Sequence, residues 1–479
     1  MARVVFLVPK VSDGMGKPAT PHVGVACLAA YVREKGHEPH VIDLRVEPEC
    51  TDGLYRRLKV FAPDFVAVTS TSLKYREVYE LINSISGWGW PVIYGGPHAS
   101  LVRAKVYEDC EPFTLVCGEG EIPLTSILDG KDLTEVRGVV FRDDQGLIVE
   151  TGPSDFIENV DELPPPAYDL FRLNLYAEKK IPLISSRGCP CYCTFCGVDR
   201  VMGRSFRPRS AKNLVAEIEA WYKKGYRVFG INDDNFAVER RRVEEICDLV
   251  IEKGLKIDWE LRTGVRVDTV DEDLLRRMKV AGCMFVAFGI ESVDAEVLNQ
   301  ARKGISPEQI ENAIAAAERV GMPFSGFFLI GLPGATGETF DKAYAFAQRY
   351  EFDEVRFYNV EPYPGTPVYD WVQKNGNLLS SPSEYLNDSS ALSNEPLFET
   401  DDFTLRERRI ATAKGESLAV RKLMEKTIGL RLGRITDFLL RQRHLRSLIL
   451  KVGFKMAPFF RTLHLRNRPA RQEIENCSQ

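Results

Sequence analysis

Short, continuously apolar runs alternate with longer amphipathic stretches along most of the chain, and this alternation constrains the fold more than any other feature. Before residue 150 the apolar runs are "VVFLV", "HVIDL", "FVAVTST", "PVIYGGPH" and "FTLVCGEGE". Strands that are apolar on both faces are typical of a parallel sheet covered by helices. We therefore predict a doubly wound, Rossmann-like α/β domain over residues 1–150, with its ligand crevice beyond the carboxyl ends of the strands.

A second alternation begins at Ile181 and contains six further apolar runs, from "IPLISS" to "EVRFYNV". Repeated β-then-α units predict a barrel or partial (β/α)6 barrel over residues 181–375, with a second doubly wound sheet as the alternative. The prolines of "ENVDELPPPAYDLF" can continue neither a helix nor a central strand, so residues 151–180 are predicted to be a linker. Residues 376–479 then form a basic, mostly helical C-terminal region.

Composition sets the class of protein. The chain has 479 residues, of which 44% are hydrophobic and 27% charged, as expected for a globular protein of several domains. No apolar run reaches the length of about 18 residues that a spanning helix needs. Most cysteines outside one cluster are scattered in apolar stretches, which suits reduced core thiols better than disulfides. We therefore expect a cytoplasmic protein.

The C-terminal region carries most of the positive charge. From Asp401 onward there are 18 basic and 8 acidic residues, although the whole chain has a net charge of −5. Apolar residues recur there near helical spacing, and arginines fill much of the other surface, which predicts a basic amphipathic helix. Its apolar positions are Leu432, Ile435, Phe438, Leu439, Leu445, Leu448, Ile449 and Val452. Such a helix either contacts an anionic membrane or packs against the acidic remainder of the chain. Nucleic acid is not expected, because no aromatic stacking motif accompanies the charge.

The segment "RGCPCYCTFCG" holds four of the 11 cysteines in eight residues. Cys189, Cys193 and Cys196 have the spacing C-x3-C-x2-C, and three thiolates on one tight loop can hold three irons of a [4Fe–4S] cube. The fourth iron would then be open to a non-protein ligand. Zinc is the alternative, with Cys191 as a cramped fourth thiolate. The loop follows the first predicted barrel strand and therefore lies at the carboxyl face, where such barrels place their chemistry.

This segment resembles the cluster motif of the radical S-adenosylmethionine enzymes, with Phe195 at the position of the usual aromatic residue. The strand-end segments "FGINDDNF", "WELRTGVRVD", "VAFGIES", "FFLIGLPGAT" and "EPYPGTPVY" resemble, in order, the successive motifs of that superfamily. The resemblance implies that S-adenosylmethionine binds the open iron. It also implies that one electron, from a flavodoxin- or ferredoxin-type donor, releases a 5′-deoxyadenosyl radical that abstracts hydrogen from carbon.

Three polar residues near these strand ends are the predicted contacts to S-adenosylmethionine, together with Phe195. They are Asp233, Arg262 and Glu291. Each has a structural alternative. Asp233 could cap the next helix, and Arg262 could form an ion pair with Glu291 inside the barrel.

The first domain resembles the cobalamin-binding domain that precedes the barrel in one class of these enzymes. Thr71 and Leu73 match the S-x-L element of a cobalamin-binding fold, with Thr for Ser, and Gly95 and Gly96 match its G-G element. The D-x-H-x-x-G element is missing, so no histidine is expected on cobalt. The further predicted contacts are His98, Gly118 and Glu119. For His98 the alternative is a structural hydrogen bond, and for "GEGE" it is a turn that leads into a helix.

Together the two resemblances imply a cobalamin-dependent radical enzyme similar to the class B methylases. Such an enzyme would transfer a methyl group from methylcobalamin to an unactivated carbon of a small molecule. If the C-terminal helix contacts a membrane, that molecule is expected to be lipid-like. Two alternatives stay open. One is radical cyclisation or rearrangement of a lipid or tetrapyrrole precursor without methyl transfer. The other is a cobalamin-binding regulator without catalysis.

Overall fold

The structure is a computed structural model that describes residues 1–12, 16–388 and 394–428. Its first sheet has the spatial order β2-β1-β3-β4-β5-β6-β7, in which β1 to β5 are parallel and β6 and β7 are antiparallel. These strands are β1 (Arg3–Val8), β2 (Glu38–Asp43), β3 (Phe65–Thr69), β4 (Val92–Gly95), β5 (Thr114–Val116), β6 (Val139–Arg142) and β7 (Ile148–Glu150). The strand order reverses between β1 and β3, which is the feature of a doubly wound sheet that places the ligand crevice there.

Both faces of this sheet are covered, as the apolar runs predict. The helices are α1 (Val23–Glu34), α2 (Thr51–Phe61), α3 (Tyr75–Gly87), α4 (Pro97–Val102) and α5 (Glu121–Leu128). Side chains alternate along a strand, so Val4, Phe6 and Val8 pack into the core that contains α1 and α5. Val5 and Leu7 pack on the opposite face, with α2 and α3. The Rossmann-like prediction is confirmed.

The second sheet is a partial barrel. Its six parallel strands, among the described residues, lie in the order β15-β14-β13-β12-β11-β8, which follows the chain without reversal. A doubly wound sheet would reverse, so the barrel prediction is confirmed. The strands of this half are β8 (Lys180–Leu183), β9 (Ser186–Arg187), β10 (Arg207–Pro208), β11 (Val228–Ile231), β12 (Asp258–Val265), β13 (Cys283–Glu291), β14 (Phe324–Ile330) and β15 (Glu354–Asn359). The pair β9 and β10 forms a short antiparallel ribbon beside the barrel.

Helices alternate with the barrel strands along the chain. They are α6 (Val198–Val201), α7 (Ala211–Lys223), α8 (Arg240–Glu252), α9 (Glu272–Val280), α10 (Ala295–Gln300), α11 (Pro307–Val320), α12 (Gly337–Arg349) and α13 (Pro367–Asn375). Helix α6 contacts α4 of the first domain. Between β7 and β8 the chain forms short 3-10 turns. Tyr168 in this segment is fully buried and donates its hydroxyl to the carbonyl of Pro182 (2.6 Å).

The described residues beyond 375 pack on both domains. It contains α14 (Pro382–Asp388), α15 (Leu405–Ile428) and the two-residue strands β16 (Asn377–Leu378) and β17 (Phe398–Glu399). Helix α15 lies against β15 and α12, while α14 lies on α3 of the first domain. The Tyr75 hydroxyl donates to the carbonyl of Ser383 (3.0 Å) across that contact. The predicted basic amphipathic helix lies outside the described residues, and no helix within them is long and apolar enough to cross a bilayer.

Candidate functional site

The cysteine loop leaves β8 at the carboxyl end of the barrel strands, and a buried carboxylate fixes its start. Asp233 accepts hydrogen bonds from the Ser185 amide (2.6 Å) and the Ser186 hydroxyl (2.7 Å) and is only 2% exposed. Helix α8 begins at Arg240, so Asp233 does not cap it. Asp233 thus supports the start of the loop, and its contact with S-adenosylmethionine stays a prediction.

The three predicted cluster ligands share this loop. Cys189, Cys193 and Cys196 are half-buried free thiols. Hydrogen bonding from the Cys191 thiol, more than any other contact, lowers the pKa of Cys189 to about 6, whereas burial raises the pKa of Cys196 to about 11. The Asn235 amide nitrogen also points to the Cys189 sulfur (3.9 Å). Sequence reasoning missed Asn235, although it stands in the quoted "FGINDDNF" segment.

The three thiolates of the loop suit an iron–sulfur cube, in which each binds a separate iron. Within the described ranges no three Cys, His, Asp or Glu side chains converge as they would on one metal ion. A cube distributes its thiolates over separate irons, so it does not need that convergence. The side-chain oxygen of Asn235 is buried without a hydrogen-bond partner. Buried polar atoms are normally paired, so an orphaned acceptor beside Cys189 fits a bound donor group.

Glu291 lies at the end of β13 beside the same loop. It forms a buried ion pair with Lys303 (2.8 Å), and its backbone has a φ of +63° at an irregularity of the β13–β14 pairing. A side chain at Gly289 would lie 2.9 Å from the Glu291 carboxylate, so glycine makes room for this pair. The Lys303 ammonium lies 5.9 Å from the centre of the Phe195 ring. Strained backbone concentrates at functional sites, which supports a binding role for Glu291.

Arg262 forms its ion pairs with residues other than those beside the cysteine loop. Its guanidinium pairs with Glu260 (2.7 Å) and Glu354 (3.4 Å), and it stacks over Phe285 at 4.0 Å. Glu354 is the first residue of β15, so this cluster is directed away from the cysteine loop. The alternative of an ion pair between Arg262 and Glu291 is therefore wrong, while the contact of Arg262 with S-adenosylmethionine stays a prediction.

His98 is buried inside the first domain. Its ring nitrogens lie 3.0 Å from the hydroxyls of Tyr79 and Ser72, and its ring stacks on Tyr75 with 4.5 Å between centroids. Burial lowers the pKa of His98 to about 4, so the ring is neutral. Both nitrogens have protein partners, as the structural alternative expects, and the corrin contact of His98 stays a prediction. Ser72, which His98 holds, stands between Thr71 and Leu73.

The loop after β3 remains available to a ligand. Thr71 is exposed and Leu73 is half-buried. Gly96 has a φ of +96°, and a side chain there would collide with Thr69 and lie 3.0 Å from the carbonyl of Ser70. A side chain at Gly95 would lie 3.4 Å from the carbonyl of Val116. The two glycines therefore let neighbouring backbone segments approach each other at the edge where the corrin is expected.

The "GEGE" turn leads into α5, as its structural alternative predicts. Gly118 has a φ of +90° and donates its amide to the Ser100 hydroxyl (3.0 Å). Glu119 is 3% exposed, and its carboxylate pairs with Arg207 (2.7 Å). The Glu119 carboxylate thus forms an ion pair with the barrel half, and its contact with the nucleotide tail of cobalamin stays a prediction.

A cavity of about 880 Å³ lies where the first domain, the cysteine loop and the C-terminal region meet. Leu73 and Phe195 both line it, so two predicted contacts from different domains face one space. Asn359 lines it too, and its side-chain oxygen is buried without a partner. Burial raises the pKa of Glu361, which accepts a hydrogen bond from the Tyr363 hydroxyl (2.8 Å). The remaining lining residues include Leu329, Tyr358, Leu379, Tyr385 and Leu397.

Two family models match the two halves. The model of the B12 binding domain matches residues 17–128, and that of the radical SAM superfamily matches residues 183–347. An uncharacterised methyltransferase of Pyrococcus horikoshii is 31% identical over 371 residues, which are 75% of this chain and 80% of that protein. The hopanoid C-3 methylase of Methylococcus capsulatus is 28% identical over 360 residues, covering 72% of this chain and 67% of the relative.

The solved structures agree on the fold. The radical S-adenosylmethionine methyltransferase TsrM of Kitasatospora setae superposes with a TM-score of 0.68 at 17% identity, covering 80% of this chain and 79% of its own. The cobalamin-dependent radical enzyme OxsB superposes with a TM-score of 0.68 at 16% identity, covering 95% and 75%. This chain belongs to the cobalamin-binding radical S-adenosylmethionine enzyme superfamily. Its cofactors are therefore a [4Fe–4S] cluster, S-adenosylmethionine and cobalamin.

Proposed function

We propose that this enzyme transfers a methyl group to an unactivated carbon of a small molecule bound in the cavity. One observation carries the proposal. Leu73, from the strand-end loop of the cobalamin-binding domain, and Phe195, from the cluster loop, line the same cavity. A substrate there would face both domains at once, as hydrogen abstraction followed by methyl transfer requires. The hopanoid C-3 methylase and the Pyrococcus horikoshii methyltransferase among the relatives support the same reaction class.

The residues divide into three groups by position. Cys189, Cys193 and Cys196 hold the cluster, with Asn235 donating to the first sulfur. Glu291, oriented by Lys303, and the Phe195 ring bind S-adenosylmethionine, while the loop of Thr71 and Leu73, with Gly95, Gly96 and Gly118 behind it, faces cobalamin. When bound, the cluster with S-adenosylmethionine supplies a hydrogen-abstracting radical and cobalamin supplies the methyl group. The leucine and aromatic side chains of the cavity keep water away from the reacting carbon.

The lining of the cavity also supports a substrate class. Leu73, Leu329 and Leu397 offer apolar walls, whereas the unpartnered oxygen of Asn359 and the carboxyl of Glu361 are acceptors. These features favour a lipid-like molecule with a large apolar body and at least one hydroxyl or amine donor. The predicted membrane contact of the basic C-terminal helix would serve such a substrate.

The electron donor approaches from the surface of the cluster loop. Tyr192, between the predicted ligands, is 61% exposed, so this loop reaches solvent. A flavodoxin- or ferredoxin-type protein that docks at Tyr192 would have a short path to the cluster. This position is consistent with the donor class that the family resemblance implies.

The test uses protein reconstituted without oxygen with iron, sulfide and hydroxocobalamin. It is incubated with a reductant, a lipid-containing metabolite extract and S-adenosylmethionine that carries a deuterated methyl group. Methyl transfer consumes one S-adenosylmethionine for the radical and another to restore the methyl donor. We therefore expect 5′-deoxyadenosine and S-adenosylhomocysteine in equal amounts, with a deuterated product. The Cys193→Ala variant is the control, which should make neither 5′-deoxyadenosine nor the deuterated product.

Two other product patterns would contradict the proposed methyl transfer. 5′-Deoxyadenosine without S-adenosylhomocysteine and without a deuterated product would indicate cyclisation or rearrangement. The anaerobic magnesium-protoporphyrin IX monomethyl ester cyclase of Rubrivivax gelatinosus, a relative 25% identical over 387 residues, gives a reason to look for that outcome. Full cofactor loading with no cleavage of S-adenosylmethionine under any of these conditions would indicate a non-catalytic protein.

A further inference from the structure

Four charged side chains meet in a buried group at the junction of the two domains, which we call the interdomain charge cluster. Glu119 and Glu121 come from the turn after β5 and the start of α5. Arg187 and Arg207 come from facing positions of the β9–β10 ribbon. None of the four side chains is more than 5% exposed. Charges this deep in a protein are retained only where they are paired.

Each arginine finds its carboxylate partner across the domain junction. Arg187 lies 2.6 Å from Glu121 and 3.4 Å from Glu119. Arg207 reaches both oxygens of Glu119, at 2.7 Å and 3.0 Å. The cluster is neutral as a whole, so no ion from solvent is needed to balance it. Because each buried charge depends on a partner in the other domain, the cluster fixes the ribbon relative to α5.

The ribbon continues directly into the cluster loop. Arg187 precedes Cys189 by two residues. The intervening Gly188 has a φ of +77°, and a side chain there would collide with the carbonyl of Ser205. The Cys189 amide donates to the carbonyl of Gly203 (3.3 Å), which secures the start of the loop. A displacement of Arg187 is therefore transmitted to the first predicted cluster ligand.

We propose that Glu121 and Arg187 are positioning residues, through which the cobalamin-binding domain sets the distance between the iron–sulfur cluster and the corrin. Neither residue needs to touch a reacting atom. The ion pair thus connects the two motifs that supply these residues, "GEGE" and "RGCPC", across the domain junction. The inference requires both cofactors to be bound but does not require methyl transfer, so it stands apart from the proposed reaction.

The distance can be measured without a substrate. In protein that contains a reduced cluster and cob(II)alamin, the two unpaired spins interact, and the splitting of the EPR signals falls with the cube of their separation. We expect the Glu121→Gln variant to retain the iron and corrin contents of the unmodified enzyme but to show a smaller and broader splitting. The substitution keeps the shape of the side chain and removes the charge that holds Arg187.

Glu217→Gln is the matched control. Glu217 is 2% exposed and pairs with Arg209, and both residues belong to the barrel half, so its neutralisation breaks a similarly buried ion pair that does not join the two domains. We expect this variant to lose stability and to keep the splitting of the unmodified enzyme. An unchanged splitting in Glu121→Gln, or an equal change in Glu217→Gln, would overturn the inference.

A second variant covers the case in which Glu121→Gln does not fold. Arg187→Lys keeps the buried positive charge but loses the planar fork that reaches two carboxylates. A reduced splitting with full cofactor content supports the positioning role, and a splitting equal to that of the unmodified enzyme refutes it. Since the EPR measurement involves no turnover, failure to detect a methylated product has no bearing on either result.

Discussion

Acid should weaken the first domain through His98. The unfolded chain binds a proton at this histidine with an ordinary pKa near 6.5, whereas burial lowers the pKa in the folded protein to about 4. Between these values only the unfolded state gains the proton, so stability is lost as the pH falls from 6.5 towards 4. From the two pKa values, His98 should cost about 2 kcal/mol between pH 7 and pH 5. No carboxylate is among the side chains that the ring contacts, which are Tyr75, Tyr79 and Ser72.

The assay compares urea denaturation of the unmodified protein and His98→Gln at pH 7 and pH 5, followed by tryptophan fluorescence. The variant should be less stable at pH 7 but should lose about 2 kcal/mol less on acidification. His22, whose pKa is likewise lowered to about 4 mainly by burial, is present in both proteins and cancels. Equal pH dependence in the two proteins would refute the reasoning, as would an NMR titration of 15N-labelled histidines in which His98 gains its proton near pH 6.5.

Three further outcomes follow from the site and its support. Cys191→Ala should keep the iron and sulfide content of the unmodified protein after reconstitution, whereas Cys193→Ala should lose most of it. Gly331→Ala, at a φ of +92° and against the buried Arg408 guanidinium, should lose roughly 2–4 kcal/mol in urea denaturation. The control Gly337→Ala, which has open space around it, should change stability by less than about 1 kcal/mol. Lys303→Met should destabilise the apoprotein by about 3–5 kcal/mol because it leaves Glu291 buried without a partner. Adding Glu291→Gln to Lys303→Met should recover stability but not the cleavage of S-adenosylmethionine measured as 5′-deoxyadenosine.

The sequence was sufficient wherever the determining interactions are local. The apolar runs that became β1 and β13 are continuous, and the three cysteines of the cluster loop lie within eight residues. Hydrophobic periodicity and motif spacing operate on this scale. The fold class of both domains and the position of the cluster loop could therefore be predicted before any coordinates were available.

Side-chain partners could not be predicted from the sequence where the partner lies on an element far away along the chain. Arg262 has two candidate carboxylates nearby in the barrel, and its partner Glu354 lies 92 residues away. Lys303, missed in the sequence, is the partner of Glu291 because the segment after α10 returns to the end of β13. His98 stands beside the two glycines in the sequence, yet its ring is buried, where it forms hydrogen bonds with hydroxyls of α3 and of the loop after β3. Such choices depend on packing that no local pattern records.

Most of the residues that line the cavity lie outside the two ranges that the family models match. The matches to the family models end at residues 128 and 347, whereas the lining from Tyr358 to Leu397 comes from the end of β15 and the C-terminal region. The family models thus cover the cluster loop and the loop after β3, but little of the remaining cavity wall. The hydrogen bond of Tyr75 to Ser383 ties this segment to the loop after β3. If the cavity holds the substrate, as proposed, the specificity of the enzyme is determined largely by lining residues outside the two matched ranges.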